Sequence, residues 1–238
     1  MWWFQQGLSC LPVALVVWSA ASFVFSYITA ITLHHVDPLV PYISDTGTIP
    51  PERCLFGIML NISAFLGMAT MYVRYKQVYA LNPERSKIIK LNKIGLTLGL
   101  MSCFGLCIIA NFQKCILYYI HVLGACLTFG VGAIYMLVQT VLSYLMQPEV
   151  HSKDIFWIRL TGTVVAVGCH VCKLCAIAGS RGAFHADIFP PLTVTQGYSA
   201  HIISTVSEWS LAFSFLSFFL TYIQHVLSIT QELNSNNG

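Results

Sequence analysis

The feature that most constrains this chain is its series of long apolar runs separated by short polar stretches. They cover residues 8–33, 55–73, 94–110, 117–146, 156–178 and 200–229. A helix crosses the hydrocarbon layer with about 20 apolar residues, so each run is a candidate span, the third at the short limit. Backbone amides in lipid must be satisfied within the segment, and the runs lack the alternation of strands, so they are expected to be helices. Only 9% of the 238 residues are charged, against about 25% in soluble domains. The expected fold is therefore all-α: a polytopic integral membrane protein, a bundle of six transmembrane helices. The short loops leave no room for a large soluble domain, and no repeat or linker divides the chain, so 1–238 is expected to be a single membrane domain.

The first run does not read as a cleavable signal. Residues 1–7 contain no Lys or Arg, and the apolar stretch is too long for a signal core. Orientation follows from the basic residues. Arg74, Lys76, Arg85, Lys87, Lys90 and Lys93 fall between spans two and three, and Lys153 and Arg159 flank the start of span five. The opposite side carries Arg53, Lys114 and Arg181. The positive-inside rule then puts the second and fourth loops in the cytosol, with both termini on that side. Trp2, Trp3 and Trp157 fall near expected interfaces, where indoles are favoured.

The first loop, from Asp37 to Cys54, contains four prolines and Gly47, which exclude a regular helix and impose turns. Its Pro41-Tyr-Ile-Ser-Asp-Thr-Gly47 followed by Pro50-Pro51 resembles the first-loop signature of the DNA damage-regulated autophagy modulators. The resemblance continues through Phe56 to Tyr75 with Asn61, through Ala110-Asn-Phe-Gln113, and into the last span at Glu208-Trp209. The opening residues 1–7, Tyr27-Ile-Thr-Ala and His34-His35 extend it, so it covers almost the whole chain in order. It implies a non-enzymatic membrane regulator that promotes autophagy, and apoptosis with it, from the lysosomal membrane or also the plasma membrane. Implied partners are membrane lipids and the autophagy-initiation or phosphoinositide-kinase machinery. Nucleic acid is not among them, and the oligomeric state stays open. The wider superfamily includes a GPI-anchor remodelling factor, so a lipid-handling protein is one alternative. A proton or solute transporter using Glu208 is another.

Candidate polar sites each carry a plainer reading. Glu208 is a carboxylate within a span, which is costly and so faces the bundle interior or a water cavity. If the span starts near Ala200, it lies roughly 12 Å in, where a structural anchor is the simpler role. Lys173 in span five is its candidate partner, or snorkels outward. Asn111, Gln113 and His121 lie at the outer ends of spans three and four. They are expected to tie the first loop over the bundle, the alternative being a lipid-headgroup pocket framed with Tyr42 and Asp45.

No metal, cofactor or catalytic set is expected. His34, His35 and Asp37 fit a metal by residue type alone. Cys169, Cys172 and Cys175 lie on a span, where the thiols drift around the helix and act as small apolar groups. Cys54 and Cys115 stand at loop margins on the oxidising side, where a disulfide is permitted. The sequon Asn61-Ile-Ser63 lies inside span two, out of reach of glycosylation. Tyr75-Lys-Gln-Val78 has the shape of a tyrosine sorting signal, but it starts almost at the membrane. No phosphate-binding glycine loop, serine-nucleophile motif or HExxH occurs.

Overall fold

The computed structural model describes residues 2–39, 41–147, 153–184 and 190–235, with side-chain surroundings for 10–39, 41–147, 153–176 and 198–223. The helices are α1 (Trp2–Thr32), α2 (Glu52–Leu81), α3 (Ser86–Asn111), α4 (Tyr118–Ala125), α5 (Gly132–Leu145), α6 (Lys153–Phe184) and α7 (Pro190–Ser235). A π-helical turn, Cys126–Val131, joins α4 to α5 into one continuous span, and a short 3-10 turn, Asp45–Gly47, lies in the first loop. Six helical segments are long and apolar enough to cross a membrane.

The helices overrun the apolar runs that define them. The third span is not short: α3 has 26 residues and starts at Ser86, taking Lys87, Lys90 and Lys93 into its first turns. All three lysines are exposed, as long amphipathic side chains are at an interface. Likewise α2 runs to Leu81, well past Val73. This corrects the reading of the stretch around Tyr75 as a loop. Tyr75 is helical, its carbonyl accepts from the Asn92 side chain at 2.9 Å, and Val78 is fully buried. The tyrosine tetrapeptide is therefore not a free linear signal.

The helices pack as a closed ring in chain order. Each span contacts the next, from α1 through α2, α3, the α4–α5 span and α6 to α7, and α7 returns to α1. Large apolar side chains such as Val17, Phe65, Phe104, Leu123, Val164 and Phe213 are exposed on the outside of the ring. In water such a surface would aggregate; against acyl chains it is the expected lipid face.

Close approach of backbones fixes part of the ring. Where α3 meets the fourth span, Gly105 and Gly124 face each other, and a Cβ on Gly105 would lie 2.7 Å from the Thr128 nitrogen and 2.8 Å from the Gly124 carbonyl oxygen. Backbone atoms cannot swing away as a side chain can, so the contact needs small residues, the usual device of helix packing in lipid. Ser102 adds a hydrogen bond from its hydroxyl to the Thr128 carbonyl at 2.8 Å.

The ring is sealed at the end remote from the first loop by a buried polar plug. Arg74, 2% exposed, and Arg159, 0% exposed, come in from α2 and α6. Both guanidinium carbons lie over the Tyr222 ring, at 5.5 and 4.9 Å from its centroid. Arg159 donates from Nε to the Thr221 hydroxyl at 2.9 Å and from Nη1 to the Ser143 hydroxyl. The Tyr135 and Tyr222 hydroxyls are hydrogen-bonded to each other at 2.8 Å. Arg74 was expected in the second loop and Arg159 just inside the fifth span, both as topology-setting charges; instead both are interior groups against an aromatic face, and Arg159 is also bonded to hydroxyls.

Replacing Gly105 by Ala should lower the stability of the detergent-solubilised protein by about 1–3 kcal/mol, read as a fall in its thermal unfolding temperature. Gly162→Ala is the control: nothing lies within 4 Å of a Cβ placed there, so stability should hold or rise slightly.

Candidate functional site

The first loop folds down onto the ring and is held by every wall it meets. The Tyr27 hydroxyl donates to the Pro38 carbonyl at 3.0 Å, and Ser26 and Thr46 exchange a hydrogen bond at 3.1 Å. The indole of Trp209 donates to the Pro41 carbonyl at 2.9 Å, and the Ser44 amide donates to Glu208 Oε1 at 3.3 Å. Lys114, from the turn between α3 and α4, donates to Asp45 at 3.2 Å and sits 4.1 Å above the Tyr42 ring centroid. Gly47 is needed for this fit, because a Cβ there would fall 2.3 Å from the Phe56 ring. The loop conformation thus depends on α1, α2, α7 and the α3–α4 turn together.

Glu208 stands at the centre of this closure. Its Oε2 accepts from Lys173 Nζ at 2.7 Å, while its Oε1 faces the Ser44 amide. Side-chain exposure is 15% for the lysine and 6% for the glutamate, so the pair lies mostly out of water. Lys173 also lies 5.7 Å from the centroid of Phe129, in the π-helical turn. An uncompensated charge here would be expensive, and each ion supplies the other's counter-charge.

The remaining candidates separate. Tyr42, His121, Lys173 and Glu208 all line one cavity inside the ring. Gln113 is largely buried, and its carbonyl accepts from the Ile116 and Leu117 amides in the α3–α4 turn. Asn111 is exposed on the α2 side and exchanges amide hydrogen bonds with Asn61, at 3.0 and 3.3 Å. His121 donates from Nδ1 to the Phe112 carbonyl at 2.7 Å, within its own helix–turn–helix corner. The expectation that Asn111, Gln113 and His121 tie down the loop is therefore corrected: Lys114 makes that tie, because a flexible cation reaches Asp45 where short amides reach only the adjacent helix. The carboxylate of Asp45 is held by Lys114 at the rim.

Cys54, in the first turn of α2, and Cys115, in the turn between α3 and α4, are free, exposed thiols and not a disulfide. His35 contacts Glu52 through Nδ1, and Asp37 accepts from the Leu39 amide at 2.8 Å, so both hold the α1 exit in place. Among the described residues no group of three His, Cys, Asp or Glu side chains converges on a metal position. Sequence reading missed Lys114 and Arg159 as structural groups. A charge inside an apolar run was the available signal for Arg159; none marked Lys114.

The motifs that carry the sequence resemblance therefore meet in space: the first-loop signature is bonded to Glu208-Trp209, about 165 residues away along the chain. The sequence profile described as the Frag1/DRAM/Sfk1/Cwh43P N-terminal domain matches residues 7–224. DNA damage-regulated autophagy modulator protein 2 of Mus musculus is 58% identical over 243 residues, 99% of this chain and 90% of that protein. The Homo sapiens protein of the same name is 56% identical over the same shares. DNA damage-regulated autophagy modulator protein 1 of Homo sapiens is 40% identical over 237 residues, 99% of this chain and 98% of that protein. No solved structure matches.

Breaking the central pair should be destabilising by on the order of 3–5 kcal/mol for Lys173→Met, because the glutamate is left buried without its counter-charge. Adding Glu208→Gln to that variant should restore part of the loss. Thermal unfolding of the four members of this double-mutant cycle checks it, and additive losses would show that the two residues do not act as a pair.

Proposed function

The chain belongs to the Frag1/DRAM/Sfk1/Cwh43P N-terminal domain family, and on that premise we propose that it is a multi-pass membrane regulator of autophagy that works without catalysis of its own. One observation carries the reading: proteins named autophagy modulators match it over 99% of its length, at up to 58% identity. The match spans every helix of the ring and the loop that closes it, so the shared unit is the whole membrane bundle and not a detachable piece.

The site supports a regulatory role. Both oxygens of Glu208 are engaged, one by Lys173 and one by the Ser44 amide. A carboxylate so held suits an anchor for the loop better than a general acid, a base or a proton carrier, which would have to exchange these partners to move a proton. We place the protein in the lysosomal membrane, with the α2–α3 and α5–α6 loops and both termini in the cytosol. Lys76, Arg85, Lys87, Lys90 and Lys93 remain on that side after Arg74 is assigned to the interior. These cations supply a surface for anionic lipids at about 1 kcal/mol each, and through them a meeting point with autophagy-initiation or phosphoinositide-kinase machinery. A role in apoptosis belongs to the same proposal.

Cells lacking the protein should show reduced conversion and turnover of the lipid-conjugated autophagosome marker under starvation. The wild-type chain should restore flux, and Glu208→Gln, expressed at equal level in the same membrane, should restore less. Unchanged flux in the null cells would overturn the proposal.

A further inference from the structure

The ring encloses a cavity of about 360 Å³, within the range of ligand sites at roughly 300–1,000 Å³. It is a channel along the bundle axis. On α2 its wall is the stripe Phe56, Leu60, Gly67 and Met71, one face of a helix. From Phe56 to Met71 is about 22 Å along the axis, against a hydrocarbon half-thickness of roughly 15 Å. The deep end is apolar, closed by Met71 and Phe219 above the Arg74–Arg159–Tyr222 plug. The mouth, under the first loop, is polar: Lys114, His121, Lys173 and Glu208 all face it.

The walls of this space are mostly apolar, which suits an apolar ligand better than water. A buried water needs two to four polar partners, which the apolar deep end offers sparingly. Two further details point to an occupant. The π-helical turn, Cys126–Val131, forms part of the wall, and such turns concentrate at functional sites. Thr128 in that turn is more than nine-tenths buried and lines the cavity with a hydroxyl that has no hydrogen-bond partner. Ser102, which bonds the Thr128 carbonyl, lies about one turn of α3 from Gly99 beside Met71, so this unpaired hydroxyl stands near the deep end of the channel.

The charges at the mouth select the head. Lys173 is matched by Glu208 and Lys114 by Asp45, so the rim carries two cations and two carboxylates with no excess of either sign. That pattern fits a zwitterion, a phosphate reaching the lysines and an ammonium group the carboxylates, better than a free fatty acid or an anionic head. One channel of this volume takes one chain. We propose that the cavity binds a single-chain zwitterionic phospholipid, its head between Lys114, Lys173 and Glu208 and its acyl tail extending down the axis, past the π-helical turn, to Met71 and Phe219. The regulator proposed above would then carry a lipid ligand, and the site rests on the cavity alone, not on the autophagy reading.

The test uses the purified full chain in a maltoside detergent with palmitoyl-lysophosphatidylcholine as the probe. Native mass spectrometry and radioligand binding should find a single saturable molecule per chain. Ala212→Phe, which fills the channel one turn below Glu208, should weaken binding by about tenfold or more, whereas Phe65→Ala on the lipid-facing exterior should not. Equal loss in both variants would mean surface lipid only and would overturn the proposal. Palmitate or lysophosphatidylglycerol competing as well as the probe would overturn the assignment of the head. Should Ala212→Phe fail to fold, a lysophosphatidylcholine with a photoreactive tail decides with the wild-type chain: labelling at Met71 or Phe219 supports the site, and labelling confined to exterior residues overturns it. Binding can fail while autophagic flux still depends on the protein, so the two proposals fall separately.

Discussion

A carboxylate placed among apolar helices must be matched or it destabilises everything around it, and the match for Glu208 organises this protein. Lys173 reaches it from α6 at 2.7 Å, and the Ser44 amide reaches it from the first loop at 3.3 Å. One side chain on α7 thus joins two helices and a loop. Because the pair lies largely out of water, it cannot exchange its partners for solvent without a large desolvation loss. The lid position of the loop follows, since Trp209 on the next residue holds the Pro41 carbonyl at the same time.

The two ends of the ring use different chemistry for the same purpose. At the loop end, opposite charges are paired: Lys173 with Glu208, Lys114 with Asp45. At the other end two arginines lie against the Tyr222 ring, and Arg159 donates to two neutral hydroxyls. A guanidinium is weakly hydrated and planar, so it lies on an aromatic face at a low desolvation cost. Between the polar ends lies the apolar channel, with the π-helical turn in its wall at the point where Gly105 lets α3 approach closely. A ring of six helices leaves an axial space unless large side chains fill it. Here Ser19, Ser63, Gly67 and Ala212 leave it open.

The spans were legible because hydrocarbon forces the backbone into helices and leaves the side chains no polar alternative. Their ends were less so. Lysines 87, 90 and 93 looked like a loop by charge, yet they continue α3, because long side chains reach the interface while their backbone stays helical. Arg74 and Arg159 looked like topology markers for the same reason, and only packing shows that they point inward. Asn111 and Gln113 sat at the right depth for the loop, but depth does not specify azimuth around a helix, and Asn111 turned towards Asn61 instead.

What the sequence determined by itself is the number of spans, their helical nature, the turn-rich character of the first loop and the few polar groups that had to find partners inside. Those follow from local chemistry: hydropathy, proline geometry and the cost of a charge in lipid. What only the tertiary structure decided is who meets whom. The bond between the first-loop signature and Glu208-Trp209, the arginine plug and the channel between them depend on closing the ring of α7 onto α1. That closure is set by the rotation and approach of each helix, quantities that no single stretch of sequence encodes, because they are fixed by the fit of all six helices at once.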